Sequence, residues 1–459
     1  MQASQGVRKV KTIDRTRLQV LMAREERRFI EEHPKSKLLF ERAKSSLLGG
    51  VPMNWMVKWA GAFPVFVQRA EGAHFTDVDG RDYVDLCLGD TGAMTGHSPR
   101  VTIETIKEQL DRGLTFMLPT EDSIWVGEEL TRRFGLPYWQ FALTATDANR
   151  FSIRLAREIT QRPRILVFNY CYHGTVDETL ITLKNGVPGP RRGNLGPPVD
   201  PAVTTRVIEF NDLKALEEAV APRDVACVLM EPAMTNVGIV HPDPGYHEAL
   251  REITHRFGTL LIIDETHTIC AGPGGYTREH NLQPDFLVIG KPIASGIPAA
   301  TYGFTAEVGE RISAHMKVED CDTGGIGGTL AGNALALAAM RATLEHVLTP
   351  AAFEEMIALG VEFTQGVESA IQDAGLPWHV TRLGCRAEYL FQPQRPRNGA
   401  EAAAAADFEL ERFMHLYALN RGILLTPFHN MALMCPDTTR EDIARHTAAF
   451  REAASELDR

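Results

Sequence analysis

The stretch Pro284–Gly296, PDFLVIGKPIASG, is an apolar run of strand length that ends on a lysine set between Gly290 and Pro292. A solvated lysine after a strand is ordinary, because its stem lies along apolar surface while the ammonium reaches water. The rest of the chain decides between that reading and a chemical one. Between Thr102 and Val380, runs of the same kind recur: RILVF, TRVIEF, VACVLM, TLLIID, DFLVIG and TYGF. Helical stretches such as SIRLAREI, DLKALEEAV and YHEALREITHRF separate them. Strands parted by helices imply crossover connections and a largely parallel sheet, and near-continuous apolar strands imply helices on both faces. The expected fold class is α/β.

Outside this block the texture changes. From about Asp14 to Leu48 the pattern is helical and highly charged, until GGVP breaks it. PVFVQRAEGAHFTDVDGRDYVDL then reads as short strands with a turn at VDG. After the helix NALALAAMRATLEHVL, long helices flank EYLFQP and GILLTP. The expected organisation is an N-terminal arm with part of a small domain over 1–75, a large domain over 76–348 and a C-terminal small α+β domain over 349–459. NGVPGPRRGNLGPPVDP is a Gly/Pro-rich loop of a length that often borders a site.

Composition narrows the function classes. The 459 residues are 44% hydrophobic and 23% charged, the balance of an ordinary globular protein. A formal net charge of −11 leaves no broad positive field to gather phosphate backbone or anionic lipid, so neither nucleic acid nor membrane is an expected partner. The cysteines Cys87, Cys171, Cys227, Cys270, Cys321, Cys385 and Cys435 are odd in number and never in CxxC spacing, which points to reduced thiols and the cytoplasm. The first residues are basic but form no apolar h-region, and Asp14, Glu25 and Glu26 speak against a transit peptide. No stretch approaches the roughly 18 continuous apolar residues of a membrane helix.

Common motifs fail on inspection. GPGGY would need glycine at Thr277 to complete GxGxxG, and a phosphate loop ending at Lys291 would need glycine at Asp285 and Ser or Thr at Pro292. HExxH fails because Arg251 stands where the second histidine belongs. No metal site is expected.

Ligands of open parallel sheets sit beyond the C-terminal strand ends. There the sequence places Asp264 after TLLII, Glu231 after VLM, YHG shortly after ILVFN and Lys291 after FLVIG. A lysine and an aspartate on neighbouring strand ends also fit a plain ion pair. The functional reading has them address opposite ends of pyridoxal 5'-phosphate, Lys291 binding the aldehyde as a Schiff base and Asp264 holding the ring nitrogen protonated. At ~3 Å and an effective dielectric of ~20, a carboxylate and a pyridinium attract by roughly 5 kcal/mol before desolvation, enough to favour the protonated ring. The phosphate needs backbone donors at a helix start, which ALTATDANRFSIRLAR offers at Ala145, Thr146 and Asp147. The same residues also make an ordinary helix cap.

GGVP, QRAEGAHFTDVDGRDYVDL, YHGTVDE, EPAMTNVGIVHPDPGY, LLIIDETHT, PDFLVIGKPIASGIPAATYGF and GGTLAGNALALAAM resemble, in order, segments of the class III aminotransferases. Their nearest likeness is to the branch containing glutamate-1-semialdehyde aminomutase. The resemblance implies a fold type I pyridoxal phosphate enzyme, a homodimer with active sites at the subunit interface. It puts Lys291 on the Schiff-base lysine, Asp264 on the ring-nitrogen aspartate and Tyr172, beside His173, on the aromatic stacked on the ring. Ala145 and Thr146 fall on the phosphate turn, Glu231 on an acid near the cofactor and Thr266 on the residue against the opposite ring face. Thr329 falls on the threonine that reaches the phosphate from the other subunit.

Three departures stand out. Ala145 replaces a glycine of the phosphate turn, and His267 stands where the family often has Met or Gln, a position from which it can support Asp264. Met56 stands where the aminomutases carry a carboxylate-binding arginine. The expectation that follows is amino transfer in two half-reactions, from an amine or amino acid, bulky or non-α ones included, to a keto acid such as pyruvate, with intramolecular transfer of the aminomutase kind as the alternative and a non-catalytic pyridoxal phosphate-binding protein as a lower one. Trp55, Met56 and Trp59 can form an apolar substrate pocket or interface core. Arg386, in LGCRAEYLF, is the candidate for a substrate carboxylate, with a surface arginine at a strand start as the alternative.

Overall fold

The computed structural model describes residues 13–315 and 325–458; Cys321 and residues 1–12 lie outside them. The charged N-terminal stretch forms two helices rather than one, α1 (Arg15–Glu32) and α2 (Pro34–Ala43). Pro34 lacks an amide proton and cannot continue a helix, but it suits the first turn of a new one. The strands β1 (Val67–Glu71), β2 (His74–Asp77) and β3 (Asp82–Asp85) follow as an antiparallel ribbon. The turn expected at VDG lies between β2 and β3, with Gly80 at φ 89°. Helices α3 (Arg100–Arg112) and α4 (Glu121–Phe134) lead into the central sheet.

That sheet contains β4 (Tyr138–Ala142), β5 (Arg164–Phe168), β8 (Thr205–Ile208), β9 (Val225–Met230), β10 (Leu260–Asp264), β11 (Phe286–Ile289) and β12 (Ala300–Phe304), in the order β4-β12-β11-β10-β9-β5-β8. Strand β12 runs antiparallel to both its neighbours, and the pairs from β11 through β8 are parallel. Each strand-like run of the sequence is a strand here; β4, with its mixed YWQFA pattern, is the one the apolar criterion passes over. Between β5 and β8 the loop expected from Asn185 is partly a hairpin, β6 (Ile181–Lys184) and β7 (Val187–Pro190). Asn185 at φ 53° and Gly186 at φ 77° form its two-residue turn, the conformation that an Asn-Gly pair favours.

Side chains alternate across β5. Ile165 and Val167 join a core with Ala148, Phe151 and Leu155 of helix α5 (Ala145–Thr160). Leu166 and Phe168 join the opposite core with Leu216 and Leu250. Both faces are thus covered, as the apolar strands require. Beyond the 25-residue helix Pro350–Ala374 lies a small antiparallel sheet of β13 (His379–Leu383), β14 (Arg386–Leu390) and β16 (Met431–Leu433). Strand β15 (Ile423–Leu424) instead pairs in parallel with β3, so the C-terminal segment and the N-terminal ribbon share one sheet. Six cysteines among the described residues are buried and free.

Candidate active site

The C-terminal ends of β4, β9, β10 and β11 open onto one cavity of about 460 Å³, lined in part by Thr146, Tyr172, Glu231, Asp264, Thr266 and Lys291. The sequence-predicted constellation is therefore assembled at the strand ends. At its floor, Asp264 Oδ2 accepts hydrogen bonds from Asn149 Nδ2 (2.8 Å) and His173 Nδ1 (2.9 Å), and Oδ1 accepts one from the Thr266 amide (3.0 Å). Burial alone would raise this carboxyl, but His173 with Thr266 and Asn149 outweighs it and lowers it to about 2. Asp264 is a carboxylate held in fixed orientation.

Lys291 sits at φ 52°, a left-handed backbone that is uncommon for a side-chain-bearing residue and clusters at functional sites. Its Nζ lies 3.1 Å from Asp90 Oδ2 and 2.6 Å from His267 Nε2. When Lys291 is charged it outweighs burial and holds Asp90 well below the usual carboxylate range. His267 is lowered well below its ordinary value by burial first and Lys291 second, so it is neutral. Its Nδ1 faces Thr91 Oγ1 (2.9 Å) and Arg386 Nη1 (3.2 Å). His267 thus serves Lys291, and the partner of Asp264 is His173.

The start of α5 supplies the anion cradle. Thr144 caps it by accepting from the Asp147 amide (3.2 Å), and Ala145 and Thr146 line the cavity. Gly174, at φ 79°, packs so closely that a Cβ there would lie 2.0 Å from Thr146 Oγ1. Gly290 also stands close to the turn, where a Cβ would lie 3.0 Å from that of Ala145. Ala145 therefore fits where the resemblance expects glycine.

Trp55 lines the cavity and packs edge-on against Tyr172 (5.6 Å) and Phe428 (5.7 Å). Met56 is 40% exposed and Trp59 partly buried, and neither lines the cavity. Glu231 is held by Thr235, whose hydroxyl and amide both donate to it. Burial raises the Glu231 carboxyl. Thr329 is exposed and lies outside the cavity of its own chain.

Arg386 is neither on the surface nor open to the cavity. It is 0% exposed, and its Nη2 donates to the Thr235 carbonyl (3.1 Å). Asp90, Thr91 and Asn149 are site residues that sequence reasoning misses. A signal was present for the first two: GDTGAMTG after β3 is dense in glycine, and Asp90 and Thr91 both adopt positive φ.

The residues fit pyridoxal phosphate on their own chemistry. Among the described residues, Asp264 Oδ1 receives one protein hydrogen bond, Asn149 Oδ1 is buried without a partner, and the Lys291 amine lines the same cavity as the carboxylate. No group of three or more metal-binding side chains occurs among the described residues, and none of their helices is long and apolar enough to cross a membrane.

Residues 55–453 match the family model Aminotransferase class-III. The glutamate-1-semialdehyde 2,1-aminomutase of Sorangium cellulosum (strain So ce56) is 35% identical over 92% of this chain and 96% of its own. Among solved structures, a glutamate-1-semialdehyde-aminomutase from Pseudomonas aeruginosa PAO1 superposes with a TM-score of 0.94 at 51% identity, covering 97% of this chain and 99% of that one. A lysine-to-alanine variant of the Pseudomonas aeruginosa protein, in complex with PMP, superposes with a TM-score of 0.95 at 50% identity over 97% and 99% of the two chains. These likenesses overturn the expectation of transfer between two separate substrates. Met56 alone was made to weigh against the aminomutases, and identity over the whole chain outweighs one aligned position.

Proposed function

This chain belongs to the class III aminotransferases, pyridoxal phosphate enzymes of fold type I, and on that footing we propose that it moves an amino group between adjacent carbons of one substrate. The observation that carries the reading is 51% identity along 97% of the chain to a protein described as an aminomutase. A substrate of the glutamate-1-semialdehyde type, an amine beside an aldehyde, has the required arrangement.

Pyridoxal phosphate, when bound, supplies a carbonyl for the amino group and a ring that withdraws electrons. Lys291 would hold the carbonyl end, Asp264 the ring nitrogen, and Tyr172 and Thr266 would lie along the ring. The amides of Ala145 and Thr146 at the start of α5 meet the phosphate, where aligned N–H groups favour an anion. Lys291 is also the base, taking a proton from one substrate carbon and returning one to its neighbour. Asp90 and His267 hold Nζ by hydrogen bonds before that exchange begins. Trp55 and Tyr172 pack edge-on and add apolar surface to the cavity lining. The active unit in this reading is a homodimer in the cytoplasm, with Thr329 meeting the phosphate of the second copy.

The test is turnover of glutamate-1-semialdehyde by the holoenzyme with no keto acid added. Conversion to the isomer with a terminal amine supports the reading. No conversion alone, but turnover once a keto acid is supplied, overturns it.

A further inference from the structure

We infer that Arg386 and His267 set the proton inventory of the catalytic lysine: Arg386 fixes His267 in the tautomer whose Nε2–H donates to Lys291 Nζ, and so makes the lysine a poised base. The inference rests on Lys291 being the proton-moving residue of the proposed reaction.

A guanidinium can only donate hydrogen bonds. Two groups face His267 Nδ1, the Thr91 hydroxyl at 2.9 Å and Arg386 Nη1 at 3.2 Å; the hydroxyl can donate or accept but the guanidinium only donates, so Nδ1 carries no proton and accepts. The neutral ring must then hold its hydrogen on Nε2, 2.6 Å from Lys291 Nζ. Facing an N–H, Nζ accepts with its lone pair, and one of its two amine hydrogens donates to Asp90 Oδ2 at 3.1 Å. An ammonium here would set donor against donor. Lys291 thus gains a proton from substrate carbon only at the loss of the His267 hydrogen bond, and regains that bond on passing the proton on. Asp90, which favours the ammonium, balances the histidine. The remaining charged groups around the trio are Asp264, which acts on His267, and Glu388, 4.0 Å from Arg386 and itself 3.3 Å from His429.

His267 touches the reacting amine and is a catalytic residue on this assignment; Arg386 acts through it and is a positioning residue. Arg386 is rigidly placed at the start of β14, fully buried and tied to the Thr235 carbonyl, so its proton donor cannot turn away. Its task differs from direct capture of a substrate carboxylate, which would require it to face the cavity.

The experiment is ¹⁵N-histidine NMR of the enzyme loaded with pyridoxamine phosphate, which leaves Lys291 Nζ a free amine, with His267→Ala used to assign the resonance. The expected spectrum has Nδ1 unprotonated and Nε2 protonated. Arg386→Met, which removes the donor but keeps bulk, should mix the tautomers and move the acidic limb of the kcat–pH profile up by at least one pH unit, a tenfold or greater loss below that limb. Arg386→Lys, which restores a donor, should recover the wild-type profile. A merely structural arginine would lower the rate at every pH without moving the limb, and that result overturns the inference. So does a protonated Nδ1 in the wild-type spectrum, which decides the matter even if Arg386→Met fails to fold. The spectrum is independent of which reaction the enzyme performs, so failure of the proposed isomerisation is distinguishable from failure of this assignment.

Discussion

Asp264 and Lys291 stand at the ends of adjacent parallel strands, Asp264 in register with Val288, yet they do not pair with each other among the described ion pairs. Asp264 is engaged by Asn149 and His173, and Lys291 by Asp90 and His267. A carboxylate and an amine that share a cavity without pairing with each other remain available for a third group. Mutual neutralisation would have left the plain ion pair that the sequence also allowed.

Lys291→Ala removes both the covalent attachment point and the proton carrier. Turnover should fall by at least several decades, because nucleophilic and general-base contributions are lost together. Purified variant retaining near-normal turnover, measured alongside its cofactor absorbance, would remove Lys291 from the mechanism.

Asp264 links the site to acid stability. Its carboxyl is lowered to about 2 in the folded chain, against about 3.9 in an unfolded one, so the carboxylate stabilises the fold fully above about pH 4. That contribution, of the order of 2 kcal/mol, is lost as pH falls through the folded value. Urea unfolding of the cofactor-free chain between pH 2 and 6 should show a weaker pH dependence in Asp264→Asn than in wild type. Identical slopes would mean that the carboxylate is not held by its partners.

Gly174→Ala tests the anion cradle. A β-carbon at φ 79° is strained, and it would meet Thr146 Oγ1 at 2.0 Å and Thr146 Cα at 2.9 Å. Displacing this turn by a cost of about 1–3 kcal/mol should weaken pyridoxal phosphate binding by tenfold or more in a titration of the cofactor-free protein. Unchanged affinity would place the phosphate elsewhere.

Thr329 is exposed in its own chain and removed from the cavity, the position of a residue that acts across an interface. Thr329→Ala should weaken cofactor retention by roughly 1 to 2 kcal/mol, the scale of a hydrogen bond to a charged group. In mixed dimers that pair this variant with a Lys291→Ala chain, both lesions should fall in one site and leave the other active. Two impaired sites would refute the exchange of Thr329 between copies.

The strand-end residues were legible because their placement follows from local pattern. An apolar run that ends at Asp264 or Lys291 defines where a parallel strand stops, and ligands collect at that edge. The same logic reached Glu231 and Tyr172, and the turn at Ala145, Thr146 and Asp147 marked the start of α5. The likeness to a family came from several such segments in register, and one substitution, Met56, misdirected the choice of reaction.

What the strand pattern left open is the company those residues keep. Asp90 and Thr91 follow β3, Asn149 lies one turn inside α5, and Arg386 opens β14, and no periodicity relates any of them to Lys291. They meet because the N-terminal ribbon and the C-terminal sheet close over the strand ends, bringing together side chains about 100 to 200 positions apart. The sequence determined which side chains stand at the strand ends and line the cavity, since that follows from residue type and strand length. Tertiary packing alone decided which hydrogen bonds hold them, because a buried donor or acceptor is satisfied by whatever the fold places within about 3 Å of it.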